Sequence, residues 1–379
     1  MAASGSHTAR LTEARRVVVK IGSSLLIQKD NGALNRAWLE SLTGELAAMI
    51  KAGQEVVLVS SGAIGLGRGY FDMQPGQRRL EELQAAAAAG QILLAHAYQE
   101  LMGAHGIKVA QVLLTPDDTE DRRRYLNARS TLETLLKLGA MPVVNENDTV
   151  ATQEIRYGDN DRLGARVAEM ISADCLVLLS DVDGLYDSDP TTHANAQLIP
   201  EVRDITADLE AIAGASRTAY GSGGMATKLQ AARICMSAGC ATVISNGHTL
   251  ESLARIGAGS PCTWFVPSST PLAARKQWIA GSLTPAGTLI IDAGAEQALR
   301  KGGSLLPVGV KDVQGAFGRG DAVVIATEDG REIAHGITAY DCSEARQILG
   351  CRSEAIEEKL GYGGDKHLVR RDNLVLIDS

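Results

Sequence analysis

Two polar clusters stand close together in the middle of the chain, and their amides and carboxylates are of the types that bind small polar ligands. Residues 145–148 (Asn-Glu-Asn-Asp) follow a short apolar run that predicts a buried strand. Residues 158–161 (Gly-Asp-Asn-Asp) precede an apolar-periodic run, which predicts a helix with Asp159 or Asn160 near its N-cap. Ligands of open α/β sheets bind beyond the carboxyl ends of strands. The clusters therefore predict a ligand site, with two solvated turns as the alternative.

Lys20 stands at the end of another predicted buried strand, directly after three valines and before Gly22-Ser23-Ser24. A lysine at the end of a central strand is costly to bury unless an anion balances its charge. The backbone N–H groups of a Gly-Ser-Ser turn could hold phosphate. The alternative is an edge-strand lysine whose amino group reaches solvent. If Lys20 is instead in a central strand, the lysine and the turn that follows it favour a phosphate site.

Three further glycine-rich or acidic segments follow predicted strands or open predicted helices. The sequence SSGAIGLG begins at Ser60. Ser180 and Asp181 stand at the end of the predicted strand 174–180. Acidic residues at a strand end can bind a ribose or a metal, or can simply form a turn. The loop GSGGMATK ends at Lys228 and precedes a predicted helix over 229–238. Glycine-rich backbone at a helix N-terminus is suited to anions. The segment GSGGMATK is not a Walker A motif, because that motif requires Gly-Lys-Ser/Thr and here Thr precedes the lysine.

The composition limits the classes of function. With 379 residues, 45% hydrophobic, the chain can bury a sizeable core over two or three domains. Its net charge of −8 and 4% aromatic content argue against nonspecific binding to nucleic acid or anionic membrane as the main activity. The six cysteines form no C-x-x-C pair, which favours reduced, mostly buried thiols and a cytoplasmic location. No apolar run approaches the length of a membrane span.

The pattern of elements predicts the domain organisation. Residues 16–266 alternate strand and helix, which predicts an α/β domain with a doubly wound, mainly parallel sheet between helices. The composition changes over 267–286, a predicted linker, and residues 287–379 show the short strands and glycine turns of a small β-rich domain. Residues 1–15 are predicted to be a disordered lead without the apolar stretch of a secretory signal.

Together these motifs resemble those of the glutamate 5-kinase family, in the amino acid kinase superfamily. The resemblance rests on VVVKIGSS, VSSGAIG, the stretch from Pro142 to Arg166, LLSDVDGLY and GSGGMATK, in the family's order along nearly the whole chain. The C-terminal segments SLLPVGVKDVQGAFGRGD and IAHGITAY resemble a PUA domain. The resemblance implies an amino acid kinase-like fold followed by a PUA-like domain. It also implies ATP-dependent phosphorylation of the glutamate side-chain carboxylate, the first step of proline biosynthesis.

The resemblance also implies roles for individual residues. Lys20 and Lys228 would be catalytic lysines that bind phosphate, with Asp161 orienting them. Glutamate would be held by Ser61, Asp148 and Asn160. ATP would be held by Lys20 and by two segments whose residues are Ser180, Asp181, Ser222, Gly223, Gly224, Met225, Ala226, Thr227 and Lys228. No protein ligand is assigned to the Mg²⁺ that accompanies ATP, since this ion usually keeps waters and substrate phosphates.

Partners and competing functions follow from the same resemblance. It implies a homodimer or homotetramer, feedback inhibition by L-proline at or overlapping the glutamate pocket, and possible transfer of product to glutamyl phosphate reductase, with no membrane partner. Within the superfamily, kinases of aspartate, N-acetylglutamate or a nucleoside monophosphate are alternatives. An RNA-binding accessory protein acting through the PUA-like domain is an alternative of another class, disfavoured because residues 287–379 have no basic stripe with aromatics.

Overall fold

The chain forms two compact units, residues 1–271 and 272–379. The structure, a computed structural model, describes residues 10–28, 32–73, 79–150, 160–190, 192–193, 195–215, 224–281 and 285–377. Within the described residues, no helix combines the length and apolarity that crossing a membrane requires. All six cysteines are free thiols, and three of them, Cys175, Cys235 and Cys240, are buried.

The first unit is built on an eight-stranded sheet. Its strands are β1 (Arg16–Ile21), β2 (Glu55–Val59), β3 (Lys108–Leu114), β4 (Ala140–Glu146), β5 (Cys175–Ser180), β6 (Glu201–Val202), β7 (Ala241–Asn246) and β8 (Cys262–Phe265). They lie in the order β3-β4-β2-β1-β5-β7-β8-β6. Every neighbouring pair is parallel except β7 and β8. The predicted mainly parallel sheet is confirmed, and β1 lies inside it, which excludes the edge-strand alternative for Lys20.

Helices cover both faces of this sheet. They are α1 (Ser23–Leu26), α2 (Arg36–Lys51), α3 (Ala63–Tyr70), α4 (Leu80–Ala104), α5 (Pro116–Glu120), α6 (Arg122–Lys137), α7 (Asn160–Met170), α8 (Ala207–Ala215), α9 (Met225–Ser237) and α10 (Ser252–Gly257). Successive side chains of a strand point to opposite faces. Accordingly, Val17 and Val19 lie in one hydrophobic core with α2, α4 and α10, whereas Val18 lies in another with α6, α7 and α9. Burial on both faces explains the uninterrupted valines of β1.

Helices α3 and α4 approach each other so closely that their backbones nearly touch. A Cβ atom added to Gly90 would lie 1.7 Å from the carbonyl oxygen of Ala63, and one added to Gly67 would lie 1.7 Å from that of Ala86. Ala86, which contacts Gly67, and its neighbour Ala87 are both buried. The alanine-rich sequence of α4 therefore serves close packing, as its composition predicts, and it fixes α4 against the helix that follows β2.

The second unit has a five-stranded sheet in the order β10-β9-β11-β12-β13. These strands are β9 (Gly287–Ile291), β10 (Val310–Gly315), β11 (Ala322–Thr327), β12 (Glu332–Thr338) and β13 (Val369–Leu376). All pairs are antiparallel except β9 with β11. Helices α12 (Ala293–Arg300), α13 (Cys342–Gln347) and α14 (Ile356–Leu360) accompany a core of the unit's own. The β-rich character predicted for this part is confirmed.

Helix α11 (Pro271–Gly281) occupies much of the segment predicted as a linker. Its residue Arg275 donates hydrogen bonds to the backbone oxygen of Asp372 and to Asn373 Oδ1 at 3.2 Å each, so it is tied to the second unit. Residues 10–15 of the predicted disordered lead are instead ordered, because the apolar side chains of Leu11 and Ala14 are buried in the core of the first unit. The other limits of the predicted domains stay predictions.

Candidate active site

Asp161 bridges two lysines that come from distant parts of the chain. Its Oδ1 lies 2.5 Å from Lys20 Nζ, and its Oδ2 lies 3.2 Å from Lys228 Nζ. Lys20 is the penultimate residue of the central strand β1, Asp161 is in the first turn of α7, and Lys228 is in the first turn of α9. The structure thus brings together the three residues predicted to be catalytic.

All three charged groups are buried, with 7%, 1% and 4% of Lys20, Asp161 and Lys228 exposed. Burial by itself would raise the pKa of Asp161, but the two lysine charges outweigh it and lower the pKa to about 2. The carboxylate is therefore ionised at neutral pH. Two ammonium groups around one carboxylate leave a net positive charge, which favours an anionic ligand such as phosphate. With so little of their surface exposed, Lys20 and Lys228 do not line an open cleft.

The glycine-rich loop delivers a third group to Asp161. The hydroxyl of Thr227 lies 3.1 Å from Asp161 Oδ2 and 2.9 Å from the carbonyl oxygen of Gly224, and it can donate to either. Helix α9 begins at Met225, four residues earlier than the predicted start at 229, which places Ala226 and Thr227 in its first turn beside Lys228. Ser222 and Gly223, both predicted to bind ATP, lie outside the described residues.

Asn160 joins the ends of β2 and β4. Its Nδ2 lies 2.9 Å from the backbone oxygen of Ser60, 2.6 Å from Ser61 Oγ and 3.1 Å from Asn145 Oδ1, all of them acceptors. Asn160 is buried, and its Oδ1 has no hydrogen-bond partner among the described residues. The structure therefore brings together two of the residues predicted to hold the acceptor substrate, Ser61 and Asn160, and leaves one buried acceptor available.

Asp148 begins a single 3₁₀ turn, Asp148–Val150, just after β4. It is half-buried, and burial raises its pKa from 3.8 to about 6. Burial is the cause of this raised pKa, and a cationic group of a ligand would favour the ionised carboxylate. Most of the segment between the two predicted polar clusters, residues 151–159, lies outside the described residues and includes Asp159.

Ser180 ends β5, the neighbour of β1 on the side away from β2. It is buried, and its hydroxyl donates a 2.9 Å hydrogen bond to Asp181 Oδ1, whose side chain is exposed. β1 and β5 are parallel, with Lys20 opposite Leu178, so Ser180 and Lys20 lie at the same edge of the sheet. This edge is the one where ligands bind in open α/β folds.

Helix α4 contributes two side chains that the sequence analysis did not assign to the site. Gln91 Oε1 accepts a 2.8 Å hydrogen bond from Asn145 Nδ2, and Tyr98 OH lies 2.8 Å from Ser60 Oγ. An isolated glutamine in an alanine-rich helix, directly after a glycine, is the only local signal for Gln91. Nothing in that signal identifies its partner.

Comparison with known proteins identifies the same two parts of the chain. The model of the amino acid kinase family matches residues 15–246, and the PUA domain model matches residues 287–360. Glutamate 5-kinase of Paramagnetospirillum magneticum is 57% identical over 366 residues, 97% of this chain and 99% of that protein. Glutamate 5-kinase of Rhodospirillum rubrum is 54% identical over 359 residues, 95% and 96% of the two chains. Among solved structures, a carbamate kinase from Giardia lamblia bound to AMP-PNP aligns with 68% of this chain and all of its own at 15% identity and a TM-score of 0.48.

Proposed function

Because the chain belongs to the glutamate 5-kinases of the amino acid kinase family and carries a C-terminal PUA domain, we propose that it transfers the γ-phosphoryl group of ATP to the side-chain carboxylate of L-glutamate. The product is L-glutamyl 5-phosphate, which opens proline biosynthesis. The enzyme is a phosphotransferase whose acceptor is a carboxyl group. We expect it to act in the cytoplasm.

The chemistry of this transfer requires positive charge more than a base. A glutamate side chain has a pKa of about 4.3, so at neutral pH it is already the carboxylate nucleophile. The barrier lies in bringing this anion to a triphosphate and in stabilising the charge on the transferring phosphoryl group. The bridged pair of buried lysines, held by Asp161 with Nζ–Oδ distances of 2.5 and 3.2 Å, is the observation that carries the proposal.

Different residues bind the two substrates, ATP and glutamate. Lys20 and Lys228 bind the phosphates and the transferring group, and Asp161 fixes the position of both ammonium groups. Backbone N–H groups of the loop 222–228 and of Ser180 and Asp181 hold the rest of ATP. Ser61, Asp148 and Asn160 hold glutamate, and ionised Asp148 pairs with its ammonium group.

Mg²⁺ enters as part of the MgATP substrate. Both oxygens of Asp161 face lysines, so this carboxylate is engaged before any metal arrives. We propose that phosphate oxygens and waters complete the coordination of the ion. When bound, Mg²⁺ would neutralise charge on the β- and γ-phosphates.

Regulation and assembly are further parts of the proposal. L-Proline resembles glutamate in its α-carboxylate and amino group, so it would compete at the pocket formed by Asp148 and Asn160. We also propose a homodimer or homotetramer and delivery of the labile product to glutamyl phosphate reductase.

Trapping by hydroxylamine tests the reaction directly, because an acyl phosphate yields a hydroxamate and a phosphate ester does not. With ATP, Mg²⁺ and L-glutamate the protein should form hydroxamate, and L-proline should suppress the signal. Aspartate should react poorly, because one methylene fewer withdraws its carboxylate from the γ-phosphate. N-Acetylglutamate should fail, because it lacks the ammonium charge that Asp148 would pair with.

The same assay separates the alternatives within the family. A strong signal with aspartate or N-acetylglutamate and none with glutamate would assign a different acceptor. A protein that forms no hydroxamate with any of the three would not be a carboxylate kinase of this kind.

A further inference from the structure

Asn145 lies at the centre of a polar network behind the proposed glutamate site. It is buried at the end of β4, and its amide makes three hydrogen bonds. Its Nδ2 donates to Gln91 Oε1 at 2.8 Å, while its Oδ1 accepts from Glu146 N at 2.9 Å and from Asn160 Nδ2 at 3.1 Å. The network thus runs from helix α4 through Asn145 to Asn160.

The chemistry of the partners fixes which way each amide points. The backbone N–H of Glu146 can only donate, so the atom of Asn145 that faces it must be the oxygen Oδ1. The amino group Nδ2 of Asn145 must then face Gln91, whose side-chain oxygen Oε1 accepts its hydrogen bond. Gln91 and the Glu146 backbone therefore hold the Asn145 amide from its two ends.

Asn145 and the Ser60 carbonyl act together on the orientation of Asn160. Because Asn145 Oδ1 and the Ser60 carbonyl are both acceptors at this point, the Asn160 atom between them must be the amino group. The Asn160 oxygen is consequently turned away from the network and is buried, and no group in the described part of the chain hydrogen-bonds to it. A buried acceptor needs a donor, and the ammonium group of an amino acid substrate supplies one.

We propose that Gln91 is a positioning residue for the amino group of the substrate: through Asn145 it sets the Asn160 amide so that Oδ1 accepts from the substrate ammonium. Gln91 itself does not touch the substrate. This inference rests on the proposed function, because it takes the substrate to be an amino acid with a free ammonium group.

Helix α4 holds Gln91 in a fixed place. Gly90, its neighbour, packs so closely on α3 that an added Cβ would lie 1.7 Å from the carbonyl oxygen of Ala63. About two turns further along the same face, the fully buried Tyr98 places its hydroxyl 2.8 Å from Ser60 Oγ. α4 is thus anchored on both sides of Gln91, so the Gln91 acceptor is held in place and, together with the Glu146 N–H, keeps the Asn145 amide in its orientation.

The test compares Gln91→Met, which removes the acceptor at similar length, with Gln91→Glu, which keeps an acceptor oxygen for Asn145. Gln99→Met is the matched control, since Gln99 is an exposed glutamine of the same helix. Each enzyme is assayed by hydroxamate formation with L-glutamate and with glutarate, which has both carboxylates but no amino group.

In Gln91→Met, kcat/KM for glutamate should fall about fivefold to tenfold, mainly through KM, as expected for the loss of one hydrogen bond to a buried partner. The value for glutarate and the KM for ATP should stay within about twofold, because neither substrate uses the Asn160 oxygen for an ammonium group. Gln91→Glu should restore glutamate KM to within about twofold of the parent, and Gln99→Met should match the parent. If glutarate turns over too slowly, its inhibition constant against glutamate gives the same comparison.

An equal loss for glutamate and glutarate would overturn the inference, because a merely structural role would affect both. A loss in Gln91→Glu as large as in Gln91→Met would also overturn it. If the parent enzyme forms no hydroxamate with glutamate, the proposed function fails first and this inference with it. Should Gln91→Met not fold, Gln91→Ala is measured in its place.

Discussion

Lys20 and Asp161 form a buried ion pair in which Nζ lies 2.5 Å from Oδ1, and the second oxygen of the same carboxylate faces Lys228. The pair joins the central strand β1 to the first turn of α7. It holds two positive charges in a place where each would otherwise be costly to bury. The site therefore carries its positive charge before any phosphate arrives.

Asp161→Asn should destabilise the protein markedly, because it leaves two buried ammonium groups without their counter-charge. Breaking a buried pair in this way costs about 3–5 kcal/mol of unfolding free energy, measurable by urea denaturation at pH 7. Asp204→Asn, at an exposed position, is the control and should be near neutral. The pKa of Asp161 is lowered to about 2 from 3.8, so its contribution should be present above about pH 4 and lost as the pH falls through about 2. Unchanged stability of the variant would contradict the bridging role.

Lys20→Met and Lys228→Met should each lower kcat on the order of a hundredfold or more, by analogy with the loss of one donor from an oxyanion hole. The fold should survive, since Asp161 keeps one of its two lysines in either variant. Lys108→Met, at an exposed position of β3, provides the matched control. Steady-state kinetics at saturating ATP make the measurement, and near-normal turnover in both site variants would exclude the assigned role.

Asp148 should make glutamate binding depend on pH. Its pKa is raised to about 6, so the ionised form that pairs with the ammonium group is lost as the pH falls through 6. KM for glutamate should therefore rise between pH 7 and pH 5, whereas KM for ATP should not follow it. In Asp148→Asn the KM should be high and nearly flat over this range, and a parallel pH profile in both enzymes would refute the pairing.

The raised pKa of Asp148 also predicts how the free energy of unfolding changes with pH. The folded state holds the Asp148 proton up to about pH 6, while the unfolded chain releases it near 3.8, so this group lowers stability as the pH rises between these values. Asp148→Asn should then be more stable than the parent at pH 7, by at most about 3 kcal/mol, and by less because solvent screens the half-buried carboxylate. The difference should vanish below about pH 4. A variant that is less stable at pH 7 would show that Asp148 has a stabilising partner.

Gly90→Ala should destabilise the first unit, because the new Cβ would lie 1.7 Å from the carbonyl oxygen of Ala63 and force α4 away from α3. Overpacking of this kind typically costs about 1–3 kcal/mol and can cost more. Gly103→Ala is the control on the same helix, since in the described chain no atom outside that helix's own backbone and the neighbouring residues lies within 4 Å of its added Cβ, and it should be neutral or slightly stabilising. Thermal unfolding of the two variants would separate them, and equal midpoints would contradict the close contact.

A chain ending at Pro271 should fold and form hydroxamate with glutamate. All described residues of the proposed site, and both hydrophobic cores of the eight-stranded sheet, lie before this point. The second unit has its own core, so its removal should change assembly or inhibition by proline more than turnover. A folded truncation with no activity at any glutamate concentration would show that the active site extends beyond the first unit.

Local patterns in the sequence were sufficient for much of the fold and for the family. The run of valines before Lys20 predicts a doubly buried strand, and β1 is one; the glycine-rich loop before Lys228 predicts a helix start, although the helix begins at Met225. A strand or a helix start depends mainly on residues that are neighbours along the chain. The order of several motifs along the chain, in turn, is enough to identify a family. The resemblance to the family, and no local pattern by itself, implied that Ser61 and Asn160 belong to one site, and the structure places their side chains 2.6 Å apart.

The tertiary structure alone decided which of these groups touch. That Asp161 faces both lysines, that its pKa falls to about 2, and that Gln91 supports Asn145 all depend on the order of strands in the sheet and on the close packing of α4. Nothing in a periodicity specifies these contacts, because they join residues whose separation along the chain carries no information on their separation in space. The burial of Lys20 follows from the same cause: β1 is central only because other strands pair with it on both sides.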